Sequence, residues 1–330
     1  MARIVLTVTN DLVVDQRVHR IAIVLQDMGF EVLLIGRRLK NSESVSRPYP
    51  VKRFKLLFHQ SWLFYANYNL RLFLYLLFLK KYDVVVANDT DTLPAAHMAS
   101  EVRCKKLVYD AHEYFTEVPE LLDKPGIKRI WGVFEKLWIP RAQKAYTVCD
   151  SLARIYQNKY KISFSVIRNL PFRISINETK LLKEIYPGRK IILYQGSINV
   201  GRGLERMIDT MPFIKDSVFI LIGSCDIIVD LQKSVREKEL TDRVVFMGRI
   251  PFDSLPPYTR SADVGISLEE DIGLNYRYAL PNKIFDYIQA EVPILVSDLP
   301  EMKSIVKKYK VGEVVYDRNP EIMPSIINKM

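Results

Sequence analysis

Cysteine is scarce in this sequence: Cys104, Cys149 and Cys225 are the only three, and they stand far apart. An odd number without metal-ligand spacing argues against a disulfide framework and suggests no zinc site, so a reducing compartment is expected. Low-complexity tracts are missing as well. With 48% hydrophobic residues in a length of 330, the chain has material for two packed domains. No apolar run reaches the ~20 residues that span a bilayer. The nearest approach, Trp62 to Leu79, is uninterrupted only from Leu72 onward and is broken earlier by Asn67, Asn69 and Arg71. It reads as a helix, either buried in the first domain or partly facing a membrane interface. The first strand begins at Ile4, which leaves no room for a signal peptide and gives the expectation of a cytoplasmic protein.

Glycine is missing from the first strand-to-helix turn. Arg3 to Thr9 reads as a strand, Val14, Val18, Ile21, Ala22 and Leu25 follow at helical spacing, and Glu31 to Ile35 reads as the next strand. This is the βαβ opening of a doubly wound parallel sheet. The intervening turn, Asn10-Asp11-Leu12-Val13-Val14-Asp15, excludes a glycine-rich dinucleotide fingerprint. Arg17, His19 and Arg20 on the first helical turn form either a solvated basic face or, for Arg17, a contact to a substrate.

Acidic charge is short in one half only. Up to Phe172 there are 26 Lys and Arg against 16 Asp and Glu, whereas from Arg173 the counts are 22 and 22. The whole +10 excess therefore lies in the first half, which points to an anionic surface or substrate there. Between Lys124 and Lys144, Lys124, Lys128, Arg129, Lys136, Arg141 and Lys144 alternate with Trp131, Phe134, Leu137 and Trp138. That mixture suits a packed helix with a basic outer face, an anionic membrane interface, or nucleic acid.

Ionisable residues gather after two strands of the first half. Asp83 to Ala87 leads into Asn88-Asp89-Thr90-Asp91, where the two aspartates read as caps of the following helix rather than as metal ligands. Lys106 to Tyr109 leads into Asp110-Ala111-His112-Glu113. Open parallel sheets place their ligands at this carboxyl edge, so His112, flanked by Asp110 and Glu113, is the strongest candidate for chemistry in this half. Asn10, Asp11 and Arg17 are further candidates on the same side.

In the second half, the strand Lys190 to Tyr194 runs into Gln195-Gly196-Ser197, and Arg202-Gly203 precedes a helix. Gly196 permits close backbone approach, and Arg202 offers a planar cation for phosphate. Leu280-Pro281-Asn282-Lys283 then opens a helix carrying Ile284, Phe285 and Ile288 on one face, followed by the strand Ile294-Leu295-Val296. Free N–H groups, the positive end of the dipole and Lys283 together suit phosphate.

These ordered segments resemble retaining glycosyltransferases of family 4 over nearly the whole chain. The resemblance implies an α/β GT-B fold with two facing Rossmann-like domains: an acceptor-side domain over 1–171 and a nucleotide-sugar domain over 172–330. It implies that His112 faces the transferred sugar and that Gly196, Arg202, Gly203, Asn282, Lys283 and Asp286 hold the donor. Asn10, Asp11, Arg17, Asp110 and Glu113 are left for the acceptor side. No metal or cofactor is implied, the nucleotide-diphosphate sugar being a substrate. Ser197 stands where the family usually has a first arginine, and Tyr278 where it has the first of two glutamates. The chain also stops early against the family's usual C-terminal helices. The expected partners are a glycan or lipid-linked acceptor and an anionic membrane surface on its inner face, with no nucleic acid. A nucleotide-sugar 2-epimerase and a non-catalytic GT-B assembly partner are the competing readings.

Overall fold

The computed structural model describes residues 1–13, 15–173 and 181–330; Val14, read as the first apolar position of its helix, lies outside them. The chain divides into two compact units, Met1–Asn169 and Leu170–Met330.

The first unit contains β1 (Arg3–Asp11), β2 (Glu31–Arg38), β3 (Val51–Lys55), β4 (Val84–Asn88), β5 (Lys106–Ala111), β6 (Lys144–Thr147) and β7 (Phe164–Val166). They form one parallel sheet in the order β3-β2-β1-β4-β5-β6-β7. The order reverses between β1 and β4, which makes their carboxyl ends the switch point where such sheets bind ligands. The helix Gln16–Asp27 starts at Asp15, whose carboxylate accepts from Val18 N, and it buries Val18 and Ala22 against Ile4, Leu6 and Leu34.

The helices Ser61–Phe78, Leu93–Val102 and Pro125–Trp138 cross the sheet in one direction, so right-handed connections put all three on the same face. Rings of Tyr65 and Trp131, 5.0 Å apart, join the first of these to the third. Ser61–Phe78 buries only the stripe Phe64, Tyr68, Leu72 and Leu76. Its opposite side leaves Trp62, Leu70, Leu74 and Phe78 in solvent, so the segment is neither wholly buried nor amphipathic in the ordinary sense.

The second unit contains β8 (Lys190–Gln195), β9 (Ser217–Ile222), β10 (Val244–Gly248), β11 (Val264–Ser267), β12 (Ile294–Ser297) and β13 (Gly312–Val315). They too are all parallel, in the order β10-β9-β8-β11-β12-β13, with the reversal between β8 and β11. Side chains alternate between two apolar layers: Ile192, Tyr194, Phe219 and Leu221 fill one, Ile191, Leu193, Val218 and Ile220 the other. The helix Asn282–Gln289 is pinned to this sheet by Tyr287, whose hydroxyl donates to Leu193 O and accepts from Gln195 N.

Candidate functional site

At the switch point of the first sheet, three strand ends bring a chain of charges together. Arg17 Nη2 lies 2.6 Å from Asp110 Oδ1, and Asp110 Oδ2 lies 3.0 Å from His112 Nε2. The other ring nitrogen, Nδ1, lies 3.0 Å from Asp89 Oδ2. Burial pushes the imidazole down, yet Asp89 and Asp110 hold it up at about 10, so it is an imidazolium at neutral pH. Burial likewise works to raise Asp110, but His112 and Arg17 keep it below the usual carboxylate range.

The sequence reading of Asp89 and Asp91 as helix caps is corrected here. The cap position is Thr92, without a side-chain cap bond. Asp89 adopts a positive φ of 62°, and this turn carries its carboxylate to the neighbouring strand end, where Oδ1 also accepts from His112 N at 2.9 Å. Asp91 instead accepts from the Thr9 hydroxyl, while its buried Oδ1 has no hydrogen-bond partner. Burial, then the Asp89 charge, raises Asp91 to about 7.

The remaining first-half candidates do not all join this cluster. Asp11 organises its own loop, accepting from Val13 N at 3.1 Å, Leu39 N at 3.0 Å and Arg53 Nη2 at 2.8 Å. Asn10 donates to Asp15. Glu113 is half-buried, and its carbonyl accepts from the Tyr156 hydroxyl.

At the switch point of the second sheet, Lys283 Nζ lies 2.9 Å and Arg202 Nη1 3.4 Å from the same oxygen, Oε1 of the buried Glu269. Each cation also faces a ring: Lys283 is 4.0 Å from the Tyr194 centroid, and Arg202 is 5.0 Å from that of Tyr276. Burial lowers Lys283 to about 8, against the pull of Glu269. Glu269 lies below its ordinary value despite burial, because Lys283 and Arg202 surround it.

The loop carrying Arg202 lies against Leu268 and Glu269. Gly203 makes that approach feasible: at φ 70° a Cβ there would fall 2.2 Å from Leu268 O. Glu270 N then donates to Gly201 O at 2.8 Å, tying the two loops together. Gly196, at φ 132°, ends β8 with a bare backbone, and a Cβ there would meet Lys283 Cε at 3.9 Å. Asp286 accepts from Gln195 Nε2 at 3.2 Å, Asn282 is exposed at the helix start, and Tyr278 is half-buried beyond the short helix Leu274–Arg277.

Sequence reasoning missed Glu269 as the partner of both cations. A carboxylate directly after a buried strand was the available signal, but Glu269, Glu270 and Asp271 form a run in which spacing does not say which one turns inward. Among the described residues, no group of three or more His, Cys, Asp and Glu side chains is arranged to hold a metal ion.

Two parallel α/β units, each with ionisable side chains at its switch point, have the architecture of GT-B glycosyltransferases. Residues 14–170 match Glycosyltransferase Family 4, and residues 189–330 match glycosyl transferases group 1. The chain belongs to these glycosyltransferases, and it is an enzyme of that class. Sucrose-phosphate synthase from Thermosynechococcus elongatus is similar in structure, with a TM-score of 0.78 at 15% identity, covering 100% of this chain and 89% of that one. Anabaena HepE in complex with UDP and glucose gives 0.74 at 14% identity, with coverage of 100% and 89%. WaaG, a glycosyltransferase involved in lipopolysaccharide biosynthesis, gives 0.70 at 15% identity, with coverage of 99% and 90%. No curated protein matches the sequence.

Proposed function

We propose that the chain is a retaining, metal-independent transferase that moves a sugar from a nucleotide-diphosphate sugar to a cell-envelope polysaccharide or lipid-linked acceptor. The observation that carries the donor half is the convergence of Lys283 and Arg202 on one buried oxygen at a sheet switch point. Such a cation pair stabilises charge that develops on a departing diphosphate, the largest electrostatic demand of glycosyl transfer. Gly196, Gly203 and Asn282 leave backbone close by, and Asp286 is assigned to ribose hydroxyls. The bond from the anomeric carbon to the diphosphate oxygen breaks, a bond to the acceptor oxygen forms on the same face, and the acceptor proton passes to the leaving phosphate. His112 orients the sugar. Neither metal nor cofactor enters this scheme.

The acceptor half of the proposal rests on the first unit, residues 1–171 in the functional division, with residues 172–330 binding the donor. On the helix Pro125–Trp138, Ile127, Ile130, Val133 and Leu137 are exposed along one side. Exposed Arg129 and Lys136 flank them, with Lys124, Arg141 and Lys144 close in sequence. Leu70, Leu74 and Phe78, and Met98 and Val102, are exposed on the two other helices of that sheet face. Apolar stripes bordered by cations fit the inner, anionic face of a cell membrane better than nucleic acid, which would leave the apolar area wet. No described helix is long and apolar enough to cross a membrane.

Thermal stabilisation by a panel of nucleotide-sugars tests the donor assignment. NMR of the product formed with and without chelator then tests anomeric retention and metal independence. Stabilisation without transfer to any envelope acceptor would favour the assembly-partner reading, and interconversion of the free donor would favour an epimerase.

A further inference from the structure

The donor reading of the second site leaves one group without a role, the fully buried carboxylate of Glu269. Its Oε1 takes both cations, at 2.9 Å and 3.4 Å, and its Oε2 accepts from the Ser267 hydroxyl at 2.7 Å. Its main-chain oxygen accepts from Arg318 Nη2 at 2.7 Å. Every oxygen of the residue is therefore engaged, and the carboxylate is fixed from three directions.

We propose that Glu269 is a positioning residue for the donor: it keeps the Lys283 ammonium and the Arg202 guanidinium side by side before the diphosphate arrives. The proposal rests on the donor reading of this site. Two like charges sharing one oxygen repel each other strongly in a low-dielectric setting. An anion between them removes that repulsion, and without it the lysine is the partner able to escape by losing a proton, since arginine holds its own.

Lys283 is already close to that escape. Burial lowers it to about 8 even with Glu269 in place, and Arg202 pushes in the same direction as burial. The groups facing the pair are few. From β8 comes the Tyr194 ring, from the loop before Leu204 comes Arg202, and from the loop after β11 comes Glu269. Tyr276 lies beside Arg202, Arg318 approaches only the Glu269 carbonyl, and Asp286 is turned to Gln195. Glu269 is the one carboxylate within salt-bridge reach of Lys283 among the described residues.

Glu269 also places a negative charge near the diphosphate, so its removal has two opposed effects. Repulsion of the ligand falls, while the lysine charge is lost at lower pH. A residue that only packed the loop would weaken binding equally at every pH. Glu269→Gln keeps the shape and separates these cases.

The experiment follows the Lys283 Cε resonance in full-length protein labelled on lysine, identified with Lys283→Arg, and measures UDP and GDP affinity at pH 6 and pH 8.5. In Glu269→Gln, Lys283 should titrate lower by about one pH unit or more. The loss of nucleotide affinity relative to the native protein should grow about tenfold between the two pH values. Ser267→Ala, which frees Oε2 but keeps the carboxylate, should shift both in the same sense by less, and it carries the test if Glu269→Gln fails to fold. An unmoved Lys283 titration, or an equal affinity loss at both pH values, would overturn the proposal. If Lys283 moves but the native protein binds neither nucleotide, the pairing by Glu269 stands and the donor reading falls.

Discussion

Asp89 Oδ2 lies 3.0 Å from His112 Nδ1, and this contact completes the clamp that Asp110 begins on the other ring nitrogen. His112 is held up at about 10, well above the ~6.5 of a free imidazole. The stability that His112 contributes is accordingly full below about pH 6.5 and is lost as the pH rises through 10, whereas that of the depressed Asp110 carboxylate is lost as the pH falls into the acid range. NMR of the His112 ring should show an imidazolium throughout pH 6 to 8.5. Asp89→Asn should bring its titration down toward neutrality. A neutral ring at pH 7.5 in the native protein would refute the clamp.

His112→Ala should reduce kcat far more than it weakens nucleotide binding. A group beside the reacting sugar contributes chiefly as charge develops in the transition state, and the proposed function assigns donor affinity to the other unit. Equal losses in kcat and in nucleotide affinity, or no loss in either, would remove His112 from the reaction.

Asp91 is raised to about 7, by burial first and the Asp89 charge second. A carboxylate raised on folding gives its full stability below its unfolded value of ~4 and loses it as the pH rises through 7. Asp91→Asn has no proton to lose, so its Tm should gain on that of the native protein between pH 5 and pH 8. In unfolding free energy the gain should be at most on the order of 1.4 kcal/mol for each pH unit. A constant difference across that range would show that Asp91 is ionised throughout.

The parallel sheets were legible in the sequence because buried strands such as Ile294–Ser297 are continuous apolar runs bounded by proline or polar residues. The clusters at their edges were legible only as collections of residue types. His112, Arg202 and Lys283 stand out by position after a strand or at a helix start, and so does Asp110 beside His112, but the partners distant in sequence do not. Glu269 is fourteen residues from Lys283 and sixty-seven from Arg202, and Asp89 is twenty-three from His112. Those pairings are fixed by strand order, which no local spacing encodes. The outward apolar side of Ser61–Phe78 was hidden for the opposite reason: a helix apolar all round does not announce which side the core takes.

The exposed stripe on Pro125–Trp138 predicts reversible attachment to anionic vesicles. Each exposed cation near an anionic leaflet contributes on the order of 1 kcal/mol, and salt screens it. Sedimentation with anionic vesicles at low salt should carry the protein down, and neutral vesicles should not. Ile130→Glu with Val133→Glu should abolish the attachment without lowering Tm, since both side chains are already about half exposed. Equal partitioning onto both lipids, or onto neither, would favour an acceptor free in solution.

In the proposed function, Lys283 and Arg202 bind the diphosphate of a nucleotide-sugar. Charge-assisted contacts of this kind are worth ~1.5–3 kcal/mol each, or at least about tenfold in affinity. Calorimetric titration of the nucleoside diphosphate that stabilises the native protein, repeated on folded Arg202→Ala and Lys283→Ala, measures this directly. Kd should rise at least about tenfold in each variant. An unchanged Kd in both would take the two cations out of the donor site.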